Sequence, residues 1–235
     1  MKRVISFSAA CFVFCFVAFP AFCLTLSEIR TAVRLYINDN DTSNQRFSDT
    51  QLNIIINQGH RDAALKTLLL ESTSSFSLTS GTTCYALPSD IMHIKRVTHK
   101  DKVLDQKSIA GLDALNSKWE LTTGDPLYYY VFRSTQVCFY PAPVSTSTGT
   151  AKVYYTYQPN LLSTDADEPF NGLDSAVAYH DVITWWSVYQ CDLAERRTAE
   201  AQVFFNMYVT TVEQMRGVFF LSPDYHPNFS GRPRP

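Results

Sequence analysis

This 235-residue chain carries none of the short patterns that lay out a familiar catalytic centre. It has no HExxH helix for zinc, no G-x-S-x-G turn to expose a nucleophilic serine, no glycine-rich loop to cradle phosphate and no paired CxxC. The five histidines, at positions 60, 93, 99, 180 and 226, share no metal-ligand spacing on any one element. No catalytic, metal or cofactor-binding residue is therefore assigned, and a structural or binding role is expected instead of an enzyme. The chain also lacks an excess of one charge. It has 20 basic and 22 acidic side chains, a balance of −2, and no basic stripe of the kind that grips phosphates. It is not short of apolar residues: at 46% hydrophobic and 18% charged, it is excluded from the class of disordered chains. A chain this long buries a core without help from disulfides or metals.

Long apolar runs are also missing, with one exception at the start. Lys2 and Arg3 precede an apolar stretch over 4–19, followed by Pro20-Ala21-Phe22-Cys23. The run falls short of the ~20 residues that span a bilayer, and its layout is that of a secretory signal peptide. Cleavage is expected between Cys23 and Leu24, with Ala21 three positions before the cut; Phe22 before Cys23 argues against a lipoprotein. Taking Lys2 and Arg3 off the basic count leaves 18, a balance of −4 for the remainder. Cys84, Cys138 and Cys191 also remain. An odd, widely spaced set is not a disulfide framework, and buried thiols in a reducing compartment are expected.

What is present is an order of elements. Thr25-Leu26-Ser27-Glu28 and Ser48 with Gln51 read as capping boxes, opening helices over 25–37 and 48–70. In the second helix Leu52, Ile55, Ile56, Gly59 and Ala63 line one face, with Asn53, Asn57, His60 and Arg61 on another. From 74 to 158 short alternating runs bounded by turn residues read as strands, the first two forming a hairpin around Thr79-Ser80-Gly81-Thr82. Residues 108–116 read as a turn or two of helix, and an acidic loop fills 159–172. Helices return over 173–193 and 198–217, and proline leaves 218–235 as an extended tail. Runs of each type place the chain in the α+β class: an N-terminal helix pair, a central antiparallel β region and C-terminal long helices forming a bundle. Residues 24–217 read as one domain, with no internal repeat.

Few side chains stand out. Trp185 and Trp186 are adjacent, and neighbours on a helix point about 100° apart, so one is expected in the core and the other at an interface. His180, on a mostly apolar face, reads as a hydrogen-bonded core or interface histidine. Asp165, Asp167 and Glu168 do not have the spacing of a calcium loop and read as a solvated turn.

The order of motifs resembles one family. Phe47-Ser48-Asp49 opening a helix with Leu52, Ile56-Asn57 and Arg61, then Tyr85-Ala86-Leu87-Pro88-Ser89-Asp90-Ile91, resemble the start of tailed-phage head-to-tail adaptor (connector) proteins. Trp119, Gly124-Asp125-Pro126 with Tyr128, Phe139-Tyr140-Pro141-Ala142-Pro143, Tyr154-Tyr155 and Gln158-Pro159 follow in the family's order, so the likeness covers about 25–217. These are turn and strand-end residues, which argue for shape rather than catalysis.

The resemblance implies a subunit of a dodecameric ring that binds copies of itself, the portal protein and a tail or stopper (nozzle) protein. Such a ring sits at the head-tail junction of the virion, is assembled in the host cytoplasm and leaves a channel for DNA ejection. DNA passes without sequence-specific binding, which an acidic balance suits. The aromatics Phe219, Phe220, Tyr225 and Phe229 on the tail are expected anchors for the portal or a neighbour. The leader departs from the family and supports a second reading, an exported periplasmic or secreted α+β binding protein. A hydrolase using His180 and the acidic loop is the weakest of the three.

Overall fold

The structure, a computed structural model, describes residues 23–219. The residues 1–22 of the expected leader, and Phe220, Tyr225 and Phe229 of the expected tail, lie outside them.

Helix α1 (Leu26–Tyr36) begins where the Thr25 side chain accepts the Glu28 N–H and the Glu28 carboxylate accepts the Thr25 N–H at 2.8 Å. Helix α2 (Asp49–Thr67) begins on the same device, with Ser48 and Gln51. It ends at Leu68, which takes a left-handed conformation with φ of 51°. Reciprocal caps satisfy backbone donors that would otherwise be orphaned at a helix start. In α1 the apolar positions Leu26, Ile29 and Val33 are buried, one turn apart.

Nine strands follow: β1 (Glu71–Leu78), β2 (Cys84–Ala86), β3 (Ile91–His99), β4 (Lys102–Gln106), β5 (Thr123–Gly124), β6 (Tyr128–Phe132), β7 (Gln136–Tyr140), β8 (Ala142–Pro143) and β9 (Gly149–Tyr157). Seven of them form one sheet in the order β1-β9-β3-β4-β6-β7-β2, while β5 and β8 pair separately. Helix α3 (Ile109–Leu115), capped by Ser108, connects β4 to a 3-10 turn at Trp119–Leu121. The sheet is mostly antiparallel, but β4 pairs with β6 in parallel, as do β5 and β8, so the β region is mixed. Parallel neighbours require a crossover, and the segment holding α3 supplies it.

The expected hairpin between the first two strands does not form. β1 pairs with β9 and β2 with β7, at opposite ends of the sheet order. The loop between them joins those two ends. Tyr85 reaches back so that its hydroxyl accepts the Thr79 N–H at 2.8 Å, and its ring lies 5.9 Å from Phe76. A four-residue turn signal marks a change of direction, and long-range pairing decides which strand answers it.

The chain closes with α4 (Asp181–Ala194) and α5 (Thr198–Phe219). The helix expected from 173 opens instead as a 3-10 turn, Asp174–Tyr179, before α4 begins, and another such turn, Pro169–Gly172, precedes it inside the expected loop. The expected extended tail from 218 is corrected too, because Val218 and Phe219 are the last residues of α5. α1, α2, α4 and α5 share one core, including Ile29, Leu52, Ile56, Ile183, Val188 and Tyr208. A second core lies within the sheet around Val97, Phe139 and Val153. A third, small and aromatic, gathers Leu112, Trp119, Tyr130, Cys138 and Tyr140.

Candidate interaction surfaces

The helical body is fastened at one end by a chain of charges. Arg34, buried near the end of α1, donates to Asp39 Oδ2 at 2.7 Å, to the Phe47 carbonyl at 2.9 Å and to Asp49 Oδ1 at 2.8 Å. Asp39 also accepts the backbone N–H groups of Arg46 and Phe47. Burial alone would raise the Asp39 pKa. The two amides and the Arg34 and Arg46 charges outweigh burial and hold it below the usual carboxylate range. Arg46 ion-pairs with Glu195 at 2.5 Å, and Arg197 pairs with Glu195 and with buried Asp192. The α1–α2 connection is thus tied to the α4–α5 connection through Arg46, Glu195 and Arg197.

At the other end the acidic loop wraps the start of α1. The Asp167 carboxylate accepts N–H groups from Ser163 and Thr164 and the Thr164 hydroxyl. Those bonds, the Thr164 hydroxyl first, place its pKa far below the usual carboxylate range. Asp165 pairs with Arg30 at 2.5 Å. The carbonyls of Asp167 and Asp165 accept the Leu26 and Ser27 N–H groups. The loop expected to be merely solvated is therefore a structured clasp.

Beneath the clasp are two histidines. His60, expected on a polar face of α2, is buried, and its Nε2 accepts the Phe170 N–H at 2.7 Å. The cause of the misplacement is that α2 buries more than one stripe, because α4, α5 and the 169–172 turn all pack on it. His180, also buried, accepts the Leu24 N–H on Nδ1 at 3.3 Å, with the Cys23 sulfur 3.9 Å away. Burial, followed by the Glu168 carboxylate, pushes the Cys23 thiol up to about 11, so it is protonated and unreactive near neutral pH. Among the described residues, no three His, Cys, Asp or Glu side chains are grouped to hold a metal ion. No helix among them is long and apolar enough to cross a membrane.

Trp185 and Trp186 are both partly buried and both pack against the helical core. Trp185 stacks on Phe204 and meets Tyr36 edge-on at 5.2 Å. Trp186 packs over Gly59 and lies 5.1 Å from Tyr208. Phe219 lies edge-on to Tyr179 at 6.0 Å, on the chain's own helical body. The expectation of thiols at Cys84 and Cys138 is overturned. The two residues are directly opposite in the β2–β7 register and form a disulfide, leaving Cys23 and Cys191 free among the described residues.

Side chains not singled out from the sequence lie on the surface. Leu35 is 65% exposed beside Tyr36, and Val203, Met207 and Val218 are exposed along α5. On the β side Leu121 is 82% exposed. Exposed apolar side chains scattered singly are ordinary; it is a contiguous apolar patch that marks a contact surface. Apolar letters alone do not set Val203, Met207 and Val218 apart from the buried Ala201, Tyr208, Val212 and Met215 of the same helix.

None of the curated proteins compared with the chain matches it. Residues 24–223 match the family model described as SU10 adaptor protein, and the chain belongs to that family of phage structural adaptors.

Proposed function

We propose that the protein is a non-enzymatic subunit of a dodecameric ring that joins the phage portal to the tail or to a stopper protein and lines the DNA channel. The observation that carries this reading is the family match over 24–223, which spans both the helical body and the sheet. The exposed apolar residues of α1 and α5 support contact between copies. An acidic balance supports a channel through which DNA slides without sticking. In this reading the adaptor part of the chain begins at Leu24, where the family match begins, and the C-terminal segment meets the portal or a neighbouring copy. Phe219 already contacts its own body, so Phe220, Tyr225 and Phe229 carry that contact, with Trp185 at the edge of the subunit interface.

The test is mass photometry of the chain 24–235, alone and with portal protein. Particles of twelve copies, and their capture on the portal, are expected; a species that stays monomeric with portal present contradicts the reading. Deleting 220–235 is expected to abolish portal capture and leave the monomer folded.

The Cys84–Cys138 bond favours a second reading, an exported periplasmic or secreted binding protein, because disulfides persist in oxidising compartments. A released virion meets the same conditions. Finding the chain in particles or in the periplasm separates the two.

A further inference from the structure

The large sheet has two faces, and part of one is bare. On β9 the buried residues Ala151, Val153 and Tyr155 alternate with exposed Thr150 and Lys152 and half-buried Tyr154. The first set points into the sheet core, so the second points away from it. Around Tyr130, Cys138 and Tyr140 that outer face is covered by Leu112 of α3 and by Trp119. Over β1, β9 and β3 it is open. Thr73 and Ser75, opposite Tyr154 and Lys152 in the register, are exposed, and so is Arg96 on the other side of Tyr154. Basic groups collect on this surface. The Arg96 guanidinium lies 4.3 Å from the Tyr154 ring centroid, and Lys152 is the next outward residue along β9. Glu71 is the only acid in these three strands, and it is paired with Lys95 at 2.5 Å.

The opposite charge gathers at the clasp. Glu28 near the start of α1, Glu168, Asp174 and Asp181 at the start of α4 are all exposed, and among the described residues none of them is in an ion pair. They lie close together: Glu168, Glu28 and Asp174 all act on the Cys23 thiol, and Glu168 and Asp181 on the neighbouring His180. Beside them is an open recess of about 490 Å³ whose walls include Leu161, Glu168 and Asn171. Leu161 is 75% exposed there. The basic face and the acidic end do not neutralise each other within the chain, because no ion pair joins them among the described residues. One chain that carries both halves of a complementary contact is suited to head-to-tail association, in which each copy offers one half to each neighbour. Arg96 and Lys152 alone are few for nucleic acid, which is held by many phosphate contacts. An arginine laid on a tyrosine is the composition of a protein-interface anchor.

We infer that the open face of β1, β9 and β3 docks on the acidic clasp of a second copy of this chain, with Arg96 seated in the recess beside Glu168. The inference deepens the ring reading and rests on it for closure of the ring; the contact itself needs only two copies. Arginine suits the seat, because its planar guanidinium keeps a face on Tyr154 while its edge donates to a carboxylate.

The experiment is sedimentation velocity of the full chain in low salt, with two charge-reversed variants at exposed positions. One carries Arg96→Glu and Lys152→Glu, the other Glu168→Lys and Asp174→Lys. The parent is expected to self-associate, and each variant alone to associate about a hundredfold more weakly, as like charges then face each other. An equal mixture of the two variants is expected to recover association, because every contact again joins opposite charges; misfolded variants would not recover. Arg96→Gln and Glu168→Gln, which remove a charge without reversing it, should each weaken association about tenfold. A parent that stays monomeric overturns the inference. So do rings that form equally well from either variant, and the ring reading then stands on another surface. Pairs that respond to reversal but never close into a ring keep the contact and remove the ring reading. If Arg96→Glu with Lys152→Glu abolishes binding of a fluorescent DNA duplex and leaves association unchanged, the face holds phosphate and the inference fails.

Discussion

His60 Nε2 accepts the backbone N–H of Phe170 at 2.7 Å, across 110 positions of sequence. The bond joins the middle of α2 to a turn whose residues Phe170 and Asn171 both have positive φ, at 53° and 57°. A backbone held in that region by a non-glycine residue needs outside support, and a neutral imidazole supplies it.

The bond makes stability depend on pH. Burial, with a smaller contribution from nearby His180, lowers the His60 pKa from 6.5 to about 4. Between those values the unfolded chain takes up a proton that the folded chain refuses. Stability is therefore full above pH 6.5 and declines as pH falls toward 4, by roughly 3 kcal/mol for this group at the acid end. Urea denaturation at pH 7 and pH 4.5 is expected to show the decline, and His60→Gln, which cannot titrate, should lose much of it. An unchanged pH dependence in that variant contradicts the assignment.

Arg34 and Asp39 form a buried pair with 9% and 2% of their side chains exposed. Removing one partner leaves the other charge buried alone. Arg34→Ala is expected to cost about 3–5 kcal/mol in chemical denaturation. Exposed Lys100 with Asp125, also an ion pair, gives the contrast: Lys100→Ala should cost about 1 kcal/mol or less. Equal costs would show that the buried pair is not structural.

Gly59 faces Trp186 so closely that an added Cβ would lie 2.5 Å from Cδ1 and 2.8 Å from Cγ of the indole. Alanine is the better helix former by about 1 kcal/mol, yet Gly59→Ala is expected to be destabilising by about 1–3 kcal/mol because the ring must be displaced. Trp186 fluorescence should shift with it. A stabilised variant would mean that α2 and α4 are less closely packed.

Replacing both Cys84 and Cys138 with serine removes a cross-link spanning 54 positions. Under oxidising conditions a loss of about 2–4 kcal/mol is expected. Under reducing conditions the variant and the parent should denature together, and a persistent difference would contradict the role given to the bond.

These relationships differ in how far the sequence announces them. The starts of α1 and α2 are local: Thr25 with Glu28 and Ser48 with Gln51 lie three positions apart, so the letters carry the contact. Strand β4 has only Leu104 buried, and one residue makes no alternation. The disulfide depends on the β2–β7 register, which no spacing reveals. The small aromatic core of Leu112, Trp119, Tyr130, Cys138 and Tyr140 gathers residues from α3, a 3-10 turn, β6 and β7, which no local pattern joins. The motifs around Gly124 and Pro141 were legible as shape, and Pro141 does pack on Gly124, where an added Cβ would lie 3.6 Å from it. Trp185 and Trp186 are adjacent in the sequence, and both rings, each partly buried, pack against the helical core, where the helix period alone assigns one of them.

The central claim is that this chain works inside a phage particle as a structural subunit. The most direct measurement is peptide mass spectrometry of purified particles alongside the periplasmic fraction of the source culture, reading the N-terminal peptide. The account predicts peptides of the chain in the particles, and their first residue shows whether 1–23 is kept, cut or never made. Peptides confined to the periplasm, beginning near Leu24, would contradict it and leave an exported binding protein.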